Sequence, residues 1–286
     1  MVQLVNTNNE QQILKIDIEV YQPSRIRVIL EDADQENTVF TDRFEDIQSG
    51  RHTFLVRLPL VRLNTNVFVF NEDNGDVDND TSFEVINISK QHLIKRLDLI
   101  DLRNQALKNF IIFAQSFAYN AGNLRTNDPN DASDCYVSDC NNYVIKYLDV
   151  IVDEKGVEIP TPASINTMVD KYGNQIPYCP PLINTNIVID CCSKQFRDYT
   201  VPMRMAILFH EFSHVYLNKE MRDETEADLN GLMIYLSLGY PRVEAFEAWL
   251  DTFWEVDTPE NCQRYEIMQK FIEDFENNKI LINTRF

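Results

Sequence analysis

The sequence predicts an α+β protein, an N-terminal antiparallel β-sandwich followed by a mostly helical domain. Three observations predict it. The first ninety residues hold several short runs that alternate apolar and polar residues, the spacing changes to a helical one near residue 91, and everything after Pro202 keeps that helical spacing.

The alternating runs are ILKIDIEV (13–20), RIRVILE (25–31), HTFLVRL (52–58), NVFVF (66–70) and FEVINIS (83–89). Turn-forming residues separate them, among them Gln22-Pro23-Ser24, Gln48-Ser49-Gly50 and the stretch Asn71–Asp80. Short strands at such spacing predict a sandwich over residues 1–91, immunoglobulin-like in kind, which carries no chemistry by itself. Residues 91–122 lack Pro, are apolar at helical spacing and end near Gly122, which predicts a helix. The Asp/Asn-rich stretch 123–142 reads as a loop, YVIKYLDVIV (143–152) as a strand entering a turn, and LINTNIVIDC (182–191) as a strand. Helices are predicted at 202–218, 224–238, 241–255 and 259–277, so the second domain spans 92–286.

With 286 residues and a formal net charge of −19, the chain repels phosphate backbones, and no basic block offers a nucleic-acid surface. The first residues lack the cationic start and apolar run of a secretory signal, and no apolar stretch approaches the ~18 residues of a membrane span. The chain is therefore expected to be soluble and not exported through a cleaved leader, with no membrane partner. Six cysteines (135, 140, 179, 191, 192, 262) form no CxxC pair and read as reduced, mostly buried thiols. The acidic run Asp73–Asp80 fails the EF-hand pattern, because Gly75 and Val77 fall where ligands are needed. Trp249 and Trp254 sit at helical spacing with Phe246 and Phe253 and read as core or as a partner groove.

The chemistry is concentrated in MRMAILFHEFSHVYL (203–217). His210-Glu211-Phe212-Ser213-His214 is an HExxH motif, and only four His occur in the chain. A chance HExxH at this composition has odds of roughly one in a few hundred. Residues four apart on a helix lie one above the other, so both imidazoles can reach one zinc ion, while Glu211 stands beside them as a general base toward water. A buried helix carrying His, Glu, Ser and His without partners would be costly. The metzincin pattern fails, since Leu217 replaces its Gly and Glu220 its third His. The better third ligand is Glu224 in Asp223-Glu224-Thr225-Glu226-Ala227-Asp228, with Glu220 the runner-up. Asp223 and Glu226 make a capping box that starts a new helix, and Asp228 shares a face with Glu224. From there Asp228 can accept a hydrogen bond from the second ring nitrogen of His210.

HEFSH followed by ETEAD resembles the gluzincins, the thermolysin-like zinc metallopeptidases whose second metal helix carries an ExxxD pair. GYPRVEAFEAW (239–249) is similar to virion-associated zincin proteins of crAss-like gut phages. The first resemblance implies a zincin-like domain that hydrolyses peptides, with zinc on His210, His214 and Glu224, Glu211 as catalytic base and Asp228 behind the ligands. It also implies that an extended peptide or protein substrate pairs with a strand ahead of the metal helix, here 183–190. Tyr216, Tyr240 and Arg264 are the residues available for the oxyanion. The second resemblance implies an alternative, a structural protein of a phage tail that uses the zinc domain as a scaffold among oligomeric or virion partners.

Overall fold

The computed structural model describes residues 1–74, 80–131, 134–139, 143–153, 155–166, 187–217, 223–255 and 258–278. Seven strands come first: β1 (Val2–Asn6), β2 (Gln12–Val20), β3 (Ser24–Asp32), β4 (Val39–Ile47), β5 (Gly50–Leu58), β6 (Asn64–Asn71) and β7 (Phe83–His92). They form two antiparallel sheets, ordered β1-β6-β3-β4 and β5-β2-β7. The period-two pattern explains them. On β2, Leu14, Ile16, Ile18 and Val20 are buried, and on β3, Ile26, Val28 and Leu30 are buried, with polar residues between. All five predicted strands are present; β1 and β4 are additional.

The single helix predicted over 91–122 is shorter. β7 runs on to His92, a 3-10 turn follows at Leu97–Leu99, and α1 spans Gln105–Asn120. Asn104 sets that start, because its side chain accepts from the Ala106 and Leu107 amides.

A second sheet region follows, with β8 (Tyr136–Val137), β9 (Tyr143–Leu148), β10 (Ile151–Val152), β11 (Glu158–Ile159), β12 (Ala163–Asn166) and β13 (Ile187–Cys192). β12, β13, β9 and β8 form one sheet in that order, with β13 and β9 parallel and β12 antiparallel to β13; β10 and β11 form a hairpin. The helices are α2 (Ser193–Asp198), α3 (Val201–Tyr216), α4 (Glu224–Ser237), α5 (Arg242–Glu255) and α6 (Pro259–Glu276). The four helices predicted after Pro202 are thus present, and the α+β class holds. No helix among the described residues is long and apolar enough to cross a membrane.

The metal-motif helix α3 is held from several sides. Thr200 caps it by accepting from the Met203 amide, with Pro202 in the first turn. Phe212 stacks on Phe110 of α1 at 4.1 Å between ring centroids. Arg204 is buried, yet its guanidinium donates to the carbonyls of Phe196 (2.6 Å), Ala118 (2.8 Å) and Arg197 (3.2 Å). These bonds lock α3 to the ends of α1 and α2, and burial brings the Arg204 pKa down to about 10.

Candidate metal centre

The site forms where α3, α4, α5 and α6 meet the outer edge of β12. α4 starts where the capping residues predict: the Asp223 side chain accepts from the Glu226 amide at 2.9 Å, and Glu224 is the first helical residue. The helix stops at Leu238, with Gly239 at a φ of +89° as helix ends require. Gly231 sets how near α4 lies to α3. A Cβ there would stand 2.9 Å from the His210 amide nitrogen and 3.0 Å from its Cα.

His210 and His214 point their Nε2 atoms at each other, 3.2 Å apart, and both rings are buried. Glu224 brings Oε2 to 3.4 Å from His210 Nε2 and Oε1 to 3.7 Å from His214 Nε2. Glu211, buried, directs Oε2 at the backbone N–H of Ile165 on β12, which donates at 2.7 Å. His210, Glu211 and His214 together are a group that could hold a metal ion, their donor atoms lying within 4.8 Å of one another.

Two carboxylates therefore compete for the place of third ligand. Glu224 is the nearer to the imidazole nitrogens, whereas Glu211 is tied to the sheet edge. Glu220 lies outside the described residues.

Behind the imidazoles sits Asp228, fully buried. Its Oδ1 lies 2.9 Å from His210 Nδ1, close but off the line of a straight N–H···O bond. Trp249 Nε1 donates to the same oxygen at 2.9 Å, and Arg264 donates through Nη2 to Oδ1 (3.0 Å) and through Nε to Oδ2 (2.7 Å). A carboxylate beside Nδ1 favours the tautomer protonated there and leaves Nε2 its lone pair.

The electrostatics follow from these contacts. Burial alone would push the His210 pKa down, but Asp228 and Glu224 outweigh it and bring it up to about 10. Burial raises Glu211 to about 7 against the opposing charge of His210 and the Ile165 hydrogen bond. Burial also acts upward on Glu224 and Asp228, yet the bonds and charges from His210 and Arg264 leave both below the ordinary carboxylate range.

A cleft of about 550 Å³ opens onto this group. Pro162, Ala163, Ser164 and Ile165 form one wall, with Trp249, Thr252, Phe253 and Arg264 among the other lining residues. The strand expected to receive a peptide needs correcting. Residues 183–186 lie outside the described residues, and the remainder of 183–190 belongs to β13, which is bonded to β12 on one side and β9 on the other. The edge of the sheet beside α3 is β12, a four-residue strand too short to stand out in the sequence. Pro162 accepts from the Cys192 amide at 2.8 Å, and with alternating backbone direction the N–H and C=O groups of Ala163 and Ile165 face away from β13.

The three residues weighed for an oxyanion do not present a donor to the cleft. Tyr240 is buried and accepts from Gln115 Nε2 at 3.2 Å. Tyr216 stacks on Phe212 and is not among the cleft-lining residues. Arg264 lines the cleft, but its Nε and Nη2 are engaged by Asp228 and Glu224 and its Nη1 by Asn261. The sequence reading missed Trp249 and Arg264 as supports of Asp228, since both lie more than twenty residues from the motif they serve.

One other expectation changes. Cys135 is disulfide-bonded rather than reduced, whereas Cys191 and Cys192 are buried free thiols. Most of the acidic run 73–80, together with Cys140 and Cys179, lies outside the described residues.

No protein-family model matches the chain, and no match to it was found among curated proteins or among solved structures.

Proposed function

We infer that the chain is a zinc-dependent peptide hydrolase of the gluzincin type, with His210, His214 and Glu224 as metal ligands and Glu211 as general base. One observation carries the reading. Two bonds of about 2.0–2.1 Å at the tetrahedral angle set their donor atoms about 3.3–3.4 Å apart. Here the two imidazole nitrogens stand 3.2 Å apart, and the Glu224 carboxylate lies 3.4 Å from His210 Nε2 through Oε2 and 3.7 Å from His214 Nε2 through Oε1. Two imidazoles and a carboxylate are also the donor set of known catalytic zinc sites, which keep one position open.

A zinc ion held there supplies Lewis acidity, polarising a carbonyl oxygen and acidifying water. Glu211 has Oε2 fixed by Ile165, which leaves Oε1 to take a proton from water and return it to the leaving amine. Asp228 orients the His210 ring, and the outward Ala163 N–H and Ile165 C=O of β12 offer an extended peptide groups to pair with, the Ile165 N–H being engaged by Glu211.

The alternative, a structural virion protein that uses the site as a scaffold, is favoured by the lack of a free oxyanion donor among Tyr216, Tyr240 and Arg264. Metal analysis and a peptide-library digest separate the two. Purified protein should carry about one zinc per chain and lose it in the His210→Ala/His214→Ala double variant. Glu211→Gln should retain the zinc while cleavage falls by about two to four orders of magnitude. Full zinc occupancy in the double variant would refute the site, and zinc-loaded protein that cuts no peptide would favour the scaffold.

A further inference from the structure

Glu211 and Glu224 line this cleft with Asp228 buried behind His210, and the cation that meets two of these carboxylates comes from the last helix. Arg264 is largely buried, with its side chain 12% exposed. Its Nε and Nη2 donate to the two oxygens of Asp228 at 2.7 and 3.0 Å, and Nη2 also reaches Glu224 Oε2 at 3.3 Å. Nη1 turns the other way, to Asn261 Oδ1 at 3.4 Å, and the guanidinium lies over the Phe253 ring, 4.9 Å from its centroid. Every guanidinium nitrogen thus has a partner, so the group is fixed as a fork between two acidic residues on successive turns of α4.

We propose that Arg264 is a positioning residue for the metal, bridging Asp228 and Glu224 so that Glu224 offers the ion one oxygen and not two. The proposal rests on the zinc reading above. Oε2, already accepting from the guanidinium, is a poor second ligand, which leaves Oε1 to the ion, and a nearby positive charge discourages a carboxylate-rich shell. Large hard cations need many oxygens and often a chelating carboxylate, whereas a small ion with two imidazoles needs only one more donor. Arg264 therefore selects for low coordination number, and it acts on the metal without touching the reacting atoms.

The test uses the full chain, stripped of metal by a chelator and reloaded with Co²⁺, with Zn²⁺ and Mn²⁺ affinities measured by competition. Wild type should show the intense visible bands of four- or five-coordinate cobalt and a strong preference for Zn²⁺ over Mn²⁺. Arg264→Gln removes the charge and frees Glu224 to chelate. The cobalt bands should weaken, and the preference for Zn²⁺ over Mn²⁺ should fall about tenfold or more, the scale expected for outer-shell partners. Arg264→Lys keeps the charge but cannot bridge both carboxylates, so it should move both readings the same way, and it serves if the Gln variant fails to fold. Unchanged cobalt bands and an unchanged preference in a folded variant would overturn the proposal. A wild-type chain that binds neither Zn²⁺ nor Co²⁺ would instead refute the zinc reading on which it rests.

Discussion

At the scale of single residues, the position of Glu224 distinguishes it from the acidic residues around it. Glu226, two positions on, is carried to another side of α4, and its backbone amide serves the Asp223 cap. Glu224→Ala should therefore lower zinc affinity far more than Glu226→Ala, by about two orders of magnitude or beyond, measured by competition with a chromogenic chelator. Equal losses from the two changes would remove Glu224 from the ligand set. The spacing of His210, Glu211 and His214 was legible in the sequence because a single helix fixes it, and Glu224 and Asp228 were legible because a second helix with a visible cap fixes theirs. Arg264 was readable only as an available cation. Its part depends on how α6 lies against α4, and no local periodicity encodes that. The same reason hid β12, whose placement at the sheet edge comes from pairing with a strand more than twenty residues away.

At the scale of elements, the approach of α4 to α3 brings the carboxylates within reach of the imidazoles, and Gly231 permits it. Within a helix Ala is favoured over Gly by up to about 1 kcal/mol, so on propensity alone Gly231→Ala would stabilise the protein. Here the added Cβ would meet backbone, the His210 N and Cα and the Phe209 carbonyl carbon at 2.9–3.0 Å, and backbone within a helix cannot swing aside. Overpacking of this kind costs about 1–3 kcal/mol and outweighs the propensity gain. Gly231→Ala should lower the melting temperature and weaken zinc binding together, since the helices separate at His210, a proposed ligand. A variant with raised melting temperature and unchanged zinc affinity would show that the contact is not limiting. The elements themselves were largely readable: the period-two strands and the four helices after Pro202 follow from side-chain spacing and caps. The merged helix over 91–122 was misread because QHLIKRLDLIDL has apolar residues at helical spacing, yet its first residues complete β7 as a strand paired with β2. Tertiary pairing overrode local pattern there.

At the scale of the whole molecule, the N-terminal sheets and the helices share a continuous apolar core and a polar seam. The Tyr119 carbonyl accepts from Gln35 and Thr38, Asn123 donates to the Glu36 carbonyl, and the Arg96 amide donates to the Ser237 carbonyl. Near the metal-site helices, Thr41 of β4 donates to Glu244 of α5 at 2.5 Å. Glu244 is buried, and burial holds its carboxyl above the ordinary range. One turn further along α5, Glu247 is raised to about 7 by burial and by the charges of Glu244 and Asp42, with Arg43 opposing. A carboxyl whose folded pKa lies above its ordinary value of 4.5 binds a proton more readily in the folded state. Its favourable contribution is therefore complete below about pH 4.5 and is lost as pH rises through about 7. Glu247→Gln keeps the shape and removes that titration. Its melting temperature should exceed that of wild type at pH 8, and the difference should shrink steadily toward pH 5. Differential scanning calorimetry of the metal-free forms across that range measures it, and two parallel curves would show that Glu247 carries no coupling between folding and protonation at this seam.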